Sequence, residues 1–167
     1  MSTIEAKLVL TEAEWQRQLL PESYTLTTWA ELGDTEATRS CFYQLMSECY
    51  LDDPTNPQSL RPPREKFESQ VLRDPDFTPE GCFILLHEQV WVGLALLNRL
   101  NETEAWAAFT GLLPAHRGKG LASALKIETI CWARESGLSV IITRVATSNG
   151  VMRQLNLQLG FRECSAE

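Results

Sequence analysis

The chain is poor in the residues that build metal centres. It has two histidines, His87 and His116, at no ligand spacing, and five cysteines, Cys41, Cys49, Cys82, Cys131 and Cys164, with no C-x-x-C pair among them. No metal is therefore expected, and the thiols are expected to be reduced and mostly buried. A catalytic cysteine stays a minor alternative, because the sequence places no base beside one. Cations are scarce too: 15 Lys and Arg against 22 Asp and Glu give a net charge of −7, which excludes the clustered basic surface that nucleic acids require. No apolar run approaches the ~20 residues that cross a membrane. The first twenty residues also lack the charged-then-apolar order of a secretion signal. A cytoplasmic protein with neither membrane nor nucleic-acid partners is the expectation. Tyrosine is rare as well, limited to Tyr24, Tyr43 and Tyr50.

What is present suits one α/β domain: 167 residues, 44% hydrophobic and 22% charged. Residues 11–20 carry a short helical pattern through Trp15 and Leu19, stopped by Pro21, so residues 1–22 read as an N-terminal helical extension before a domain over 23–167. Tyr24 to Trp29 reads as a strand. A helix starts at Gly33-Asp34-Thr35 and carries Phe42, Leu45, Met46 and Cys49. An irregular segment with Asp52-Asp53-Pro54 and Pro62-Pro63 follows, then a short helix from about Arg64 to Leu72. Cys82–Leu86 and Trp91–Leu97 flank Glu88-Gln89 as a hairpin, and a further strand runs from about Trp106 to Leu112. Leu121, Ala124, Leu125, Cys131 and Trp132 fall on one face of a long helix that Gly137 stops. The strand Val140–Val145 and a helix capped by Ser148 or Asn149 and ended at Gly160 complete the pattern.

Between the last of these early strands and the long helix lies Arg117-Gly118-Lys119-Gly120-Leu121-Ala122. A glycine-rich turn opening a helix lets backbone N–H groups converge, and the helix dipole adds positive potential, so the six residues suit a phosphate. An ordinary strand-to-helix loop with two solvated cations explains them equally well. A nucleotide loop does not: no Ser or Thr follows Lys119, and Ser123 stands where a dinucleotide fingerprint needs glycine or alanine.

The block Leu112 to Ala122 resembles the acetyl-CoA-binding motif of the GNAT acetyltransferase superfamily, Arg/Gln-x-x-Gly-x-Gly/Ala. Asn149-x-x-Met152-x-x-x-Asn156-x-x-x-Gly160-Phe161 resembles its second motif, in the matching order and separation. Leu20 to Tyr24, Trp29, Asp53-Pro54, Thr110 and Thr143-x-Val145 further resemble the C-terminal half of mycothiol-synthase-like tandem GNAT proteins. The resemblance implies a mixed, mostly antiparallel sheet splayed between its fourth and fifth strands, here 106–112 and 140–145, with about four flanking helices. It implies acetyl-CoA as cosubstrate: Thr110, Gly111 and Leu112 along the pantetheine, Arg117, Gly118, Lys119, Gly120, Leu121 and Ala122 around the pyrophosphate, and Asn149 near the thioester. Asn149 serves equally as a helix cap.

The implied activity is direct acetyl transfer to a primary amine, on a small molecule or peptide. Its alternative is a non-catalytic module that binds acyl-CoA. Where the family commonly has a tyrosine that protonates the CoA thiolate, this chain has Asn156, which donates a hydrogen bond but no proton. Water is then the expected proton source for the thiolate. The base that deprotonates the amine is sought among Glu102, Glu104, Asp52 and Asp53, with Glu104 chosen beside Asn156 as the catalytic pair. Only six residues follow Phe161. The final strand is therefore expected to be short, absent, or supplied by a partner in a homodimer.

Overall fold

Apolar runs covered on both faces, such as Cys82–Leu85 and Val92–Leu97, form the centre of a seven-stranded sheet in the computed structural model, which describes residues 1–164. In chain order the strands are β1 (Thr3–Val9), β2 (Tyr24–Thr28), β3 (Cys82–His87), β4 (Val90–Arg99), β5 (Glu104–Leu112), β6 (Val140–Ala146) and β7 (Arg162–Glu163). Their order in space is β2-β3-β4-β5-β6-β1-β7. Every neighbouring pair is antiparallel except β5 and β6, which run parallel because α4 makes the crossover between them. The helices are α1 (Trp29–Leu32), α2 (Glu36–Leu51), α3 (Arg64–Phe67, continuing as a π turn over Glu68–Leu72), α4 (Leu121–Glu135) and α5 (Gly150–Gln158).

Local chemistry sets the element ends where the sequence suggests. Thr35 caps α2 by accepting from the Thr38 N–H at 3.1 Å. Glu88 and Gln89 both take positive φ, 49° and 70°, as a two-residue hairpin turn requires. The sheet then separates two apolar layers. Phe42, Leu45 and Cys49 of α2 pack with Trp29 and Phe67 on Ile84, Leu94 and Leu96. On the opposite face α4 and α5 pack Ile127, Ile130 and Leu159 against Ala105, Ile141, Ala6 and Leu8.

The N-terminus corrects two expectations. Residues 11–20 form no helix. They cross the outer side of α4 and α5 as an irregular strap: the Trp15 indole donates to the Leu159 carbonyl at 3.0 Å, and Arg17 pairs with Glu128 and Glu135. A helix of ten residues ending at Pro21 has little stability of its own, and these docking contacts override its propensity. The residues before it are not an appended extension but β1, which enters the sheet between β6 and β7 along seven paired positions, Thr3↔Ala146 to Val9↔Val140. β7 is indeed short, two residues paired with Ala6 and Lys7. The place beside β6 is thus taken by a strand of the same chain.

β1 is integral to the core: Leu8 is 2% exposed. Leu8→Ala is expected to cost about 2–5 kcal/mol, read as a lower denaturant midpoint with an unchanged slope. A change below about 0.5 kcal/mol, the range of surface substitutions, would show β1 to be peripheral.

Candidate functional site

β5 and β6 pair only from Glu104↔Val140 to Ala107↔Thr143 and then separate. Two local features end the pairing. The Thr143 hydroxyl donates to the Ala107 carbonyl at 3.1 Å, in place of continued backbone pairing. On the other edge of β5, Ala107 opposes Leu97 and Phe109 opposes Leu96, so Ala108 is an extra, bulged residue that re-aims the strand. From Ala108 to Leu112 the β6-facing edge of β5 has no strand partner. Free backbone groups in such a gap need a ligand or water.

A cleft of about 640 Å³ opens from this gap. Thr110, Gly111 and Leu112 form one wall, and Arg117, Gly118 and Gly120 to Ala122 form its end. Asn149 completes it while capping α5, its side chain accepting from the Met152 N–H at 3.1 Å. Nine of the ten residues assigned to the cosubstrate therefore come together; Lys119 is outside the lining. Gly118 and Gly120 have φ of 74° and 76°, a conformation that side chains disfavour. Gly120 is the N-cap of the 15-residue α4 and supplies no side-chain cap, leaving the first helical N–H groups to the cleft. Arg117 is held in place by donating to the Leu112 carbonyl at 3.0 Å and to Asp52 at 2.9 Å. The turn is tied to β2 by the Tyr24 hydroxyl, 2.7 Å from His116 Nδ1. Burial and the neighbouring His87 and Lys119 hold the His116 imidazole below its ordinary pKa.

A second space of about 250 Å³ adjoins the first and shares Asp53, Phe109, Thr110, Asn149 and Met152 with it. Tyr50 and Thr55 lie on its wall, and Lys126 of α4 reaches it from the other face of the sheet. Asp53 accepts from the Thr55 N–H at 2.7 Å. Among the described residues, no group of three or more His, Cys, Asp or Glu is placed to hold a metal.

The two residues chosen as the catalytic pair are elsewhere. Glu104 begins β5, accepts from the Asn101 side chain at 2.9 Å, and lines neither space. Six residues of extended strand, about 20 Å, separate it from Thr110. Asn156 is 3% exposed beneath β1 and β6, beside Ile4, Val145 and Phe161. Two helical turns from Asn149 carry it about 10 Å along α5 and away from the gap. Its Oδ1 has no hydrogen-bond partner among the described residues. Lys126 is not among the residues that the motifs single out, although a lysine inside the run Ala124-Leu125-Lys126-Ile127 is a visible anomaly on an apolar helix.

The acetyltransferase (GNAT) family model matches residues 40–161. The fold is similar to that of a GCN5-related N-acetyltransferase from Sphaerobacter thermophilus, with 17% identity and a TM-score of 0.73, over 97% of this chain and 48% of that one. It is also similar to a tandem GNAT protein from the clavulanic acid biosynthesis pathway, with 19% identity and a TM-score of 0.69, over 96% and 50%. The ribosomal-protein-S18-alanine N-acetyltransferase of Escherichia coli aligns at 17% identity and a TM-score of 0.66, over 85% and 79%. The chain thus spans about half the length of the first two structures. No curated protein matches it.

Cys49 tests the apolar wall of the larger cleft. Burial pushes its thiol up to about 11, so at pH 8 only about one molecule in a thousand carries the thiolate. Alkylation mapped by mass spectrometry should rise about tenfold per pH unit from 8 to 10 at Cys49. Rapid modification at pH 7 would contradict this environment.

Proposed function

Because the chain belongs to the acetyltransferase (GNAT) family, we propose that it binds acetyl-CoA along the larger cleft and transfers the acetyl group to a primary amine entering the smaller one. The observation that carries this reading is the continuity of the two spaces through the gap between β5 and β6. The uncapped start of α4 with Gly118 and Gly120 suits the pyrophosphate, Arg117 adding a full charge. The unpaired edge of β5 suits the amide groups of the pantetheine arm, as a strand would be recognised.

An alkyl ammonium, with a pKa of roughly 10, must lose a proton before it attacks. Asp53 replaces Glu104 as the acceptor of that proton: its carboxylate borders both spaces, whereas Asp52 is engaged by Arg117. An N–H freed at the Ala108 bulge suits the thioester oxygen as its negative charge grows. Nucleophile and donor meet in a ternary complex, and no covalent enzyme intermediate is required. Cys49, with its raised pKa, is unsuited to forming one.

Gly120→Glu puts bulk and negative charge at the uncapped helix start, where an added Cβ meets nothing within 4 Å and the cost is backbone strain at a φ of 76°. Calorimetric titration should show acetyl-CoA binding weakened roughly a hundredfold or more, with cooperative unfolding retained. Unchanged affinity would remove the donor assignment. Asp53→Asn should slow CoA release with a panel of primary amines by about a hundredfold or more, with acetyl-CoA affinity preserved. Binding by the unmodified protein without turnover on any amine would favour a CoA-binding module.

A further inference from the structure

Lys126 is a core lysine with no charge opposite it. Its neighbours Ala124, Leu125 and Ile127 are buried in the apolar layer, and Lys126 itself is only 5% exposed. Its side chain reaches the smaller space beside Ala107 and Thr143, the residues at which β5 and β6 part. No carboxylate pairs with it among the described residues, and its close aromatic contact is the Phe161 ring, 5.4 Å from Nζ.

The groups around it are otherwise occupied. Of those bordering the same space, Asp53 is held by Thr55, and Arg144 donates to Glu5. Tyr50 borders the space from the α2 side. On α5, Arg153 is paired with Glu163 of β7. An unpartnered buried ammonium costs stability, and such groups concentrate where a reaction uses them.

The position of Lys126 indicates what it meets. It lines the smaller space with Ala107 and Thr143, at the apex of the gap, and that space meets the larger cleft at Thr110 and Asn149, so the reacting end of the donor reaches it there. If acetyl-CoA binds as proposed above, on which this inference rests, the negative charge that arises at the apex is that of the departing sulfur. Three other donors fail on placement: Asn156 is in the core, the Tyr24 hydroxyl is bonded to His116, and the Tyr43 hydroxyl donates to the Pro62 carbonyl. Tyr50 lines the same space from the α2 side, whereas Lys126 lies where β5 and β6 part.

We propose that Lys126 faces the sulfur of the bound donor and delivers a proton to it as the thiolate leaves. The amine lone pair forms the C–N bond, the C–S bond breaks, and its electron pair stays on sulfur. Lys126 transfers one Nζ proton to that sulfur, yielding the free thiol, and is reprotonated from water. The proton lost by the attacking nitrogen leaves through Asp53. This replaces water as the proton source expected from the sequence. Burial lowers the lysine to about 8, close to the roughly 8.5 of a free thiol, so the transfer is nearly balanced in either direction.

The test needs no acceptor. Binding of CoA and of acetyl-CoA is measured by calorimetry on the intact chain, and the thiol of bound CoA is titrated by its thiolate absorbance. The unmodified protein should lower the bound thiol by about one pKa unit, a tenfold preference for thiolate. Lys126→Met should abolish that shift, with acetyl-CoA affinity unchanged within about twofold. Lys126→Arg should keep the shift, since the charge remains. Lys126→Met exchanges an unpaired charge for an apolar chain of similar length, so its melting temperature at pH 7 should rise. An unshifted thiol in an unmodified protein that binds acetyl-CoA normally would overturn this proposal alone, without reference to any variant. Equal weakening of CoA and acetyl-CoA in Lys126→Met would also overturn it. Binding of neither ligand by the unmodified protein would overturn the donor assignment and this proposal with it.

Discussion

Everything distinctive in this molecule depends on where two parallel strands stop pairing. A continuous ladder between β5 and β6 would satisfy its own backbone and present only a sheet surface. The Thr143 hydroxyl on the Ala107 carbonyl and the bulge at Ala108 end the ladder within one residue of each other. Beyond that point the edge of β5 keeps its hydrogen-bonding capacity for a ligand. The helices on each side then determine what kind. α4 contributes its open N-terminus and α5 its capping asparagine, while the loop after α2 brings carboxylates to the far side.

The gap is stable because its surroundings are closed. Leu97, Ala105 and Ile141 hold the paired half of the two strands against α4, each nearly inaccessible to solvent. Gly111 allows α2 to approach the unpaired half: a Cβ there would lie 2.9 Å from that of Cys49. The two halves of β5 therefore do different work, the first packing as sheet and the second serving as a lined edge. Charge follows the same division. Arg117 is oriented by a β5 carbonyl and Asp52 at the solvent side, whereas Lys126 sits at the apex without a counterion among the described residues.

Much of this was legible in the residues, because short-range rules govern those parts. Gly118 and Gly120 announce a positive-φ turn, Asn149 announces a helix start, and the unbroken apolar run from Val92 to Leu97 announces a buried strand. Nine of the ten positions assigned to the cosubstrate accordingly share one cleft. The failures share a cause as well, since each depended on contacts distant in sequence. Glu104 belongs to the right strand, but the sequence does not say which end of that strand faces the gap. Asn156 was placed by its seven-residue spacing, which fixes a helical face but not the depth to which the helix carries it. Residues 11–20 lost their helix to Leu159, Glu128 and Glu135, all more than a hundred positions away. Lys126 could have been read from its apolar neighbours, but only the parted strands say what it reaches.

β1 carries a consequence for how the chain acquires its structure. Its partner β6 lies some 140 residues later, so Ala6 and Leu8 have no strand to pair with until β6 exists. During synthesis this segment must wait as an exposed apolar strand, and closing so long a loop makes it a late and slow event. Until β6 exists, β1 is accordingly a site through which the chain can aggregate. Refolding should likewise be limited by the arrival of β1, with the half of the sheet from β2 to β5 able to assemble before it.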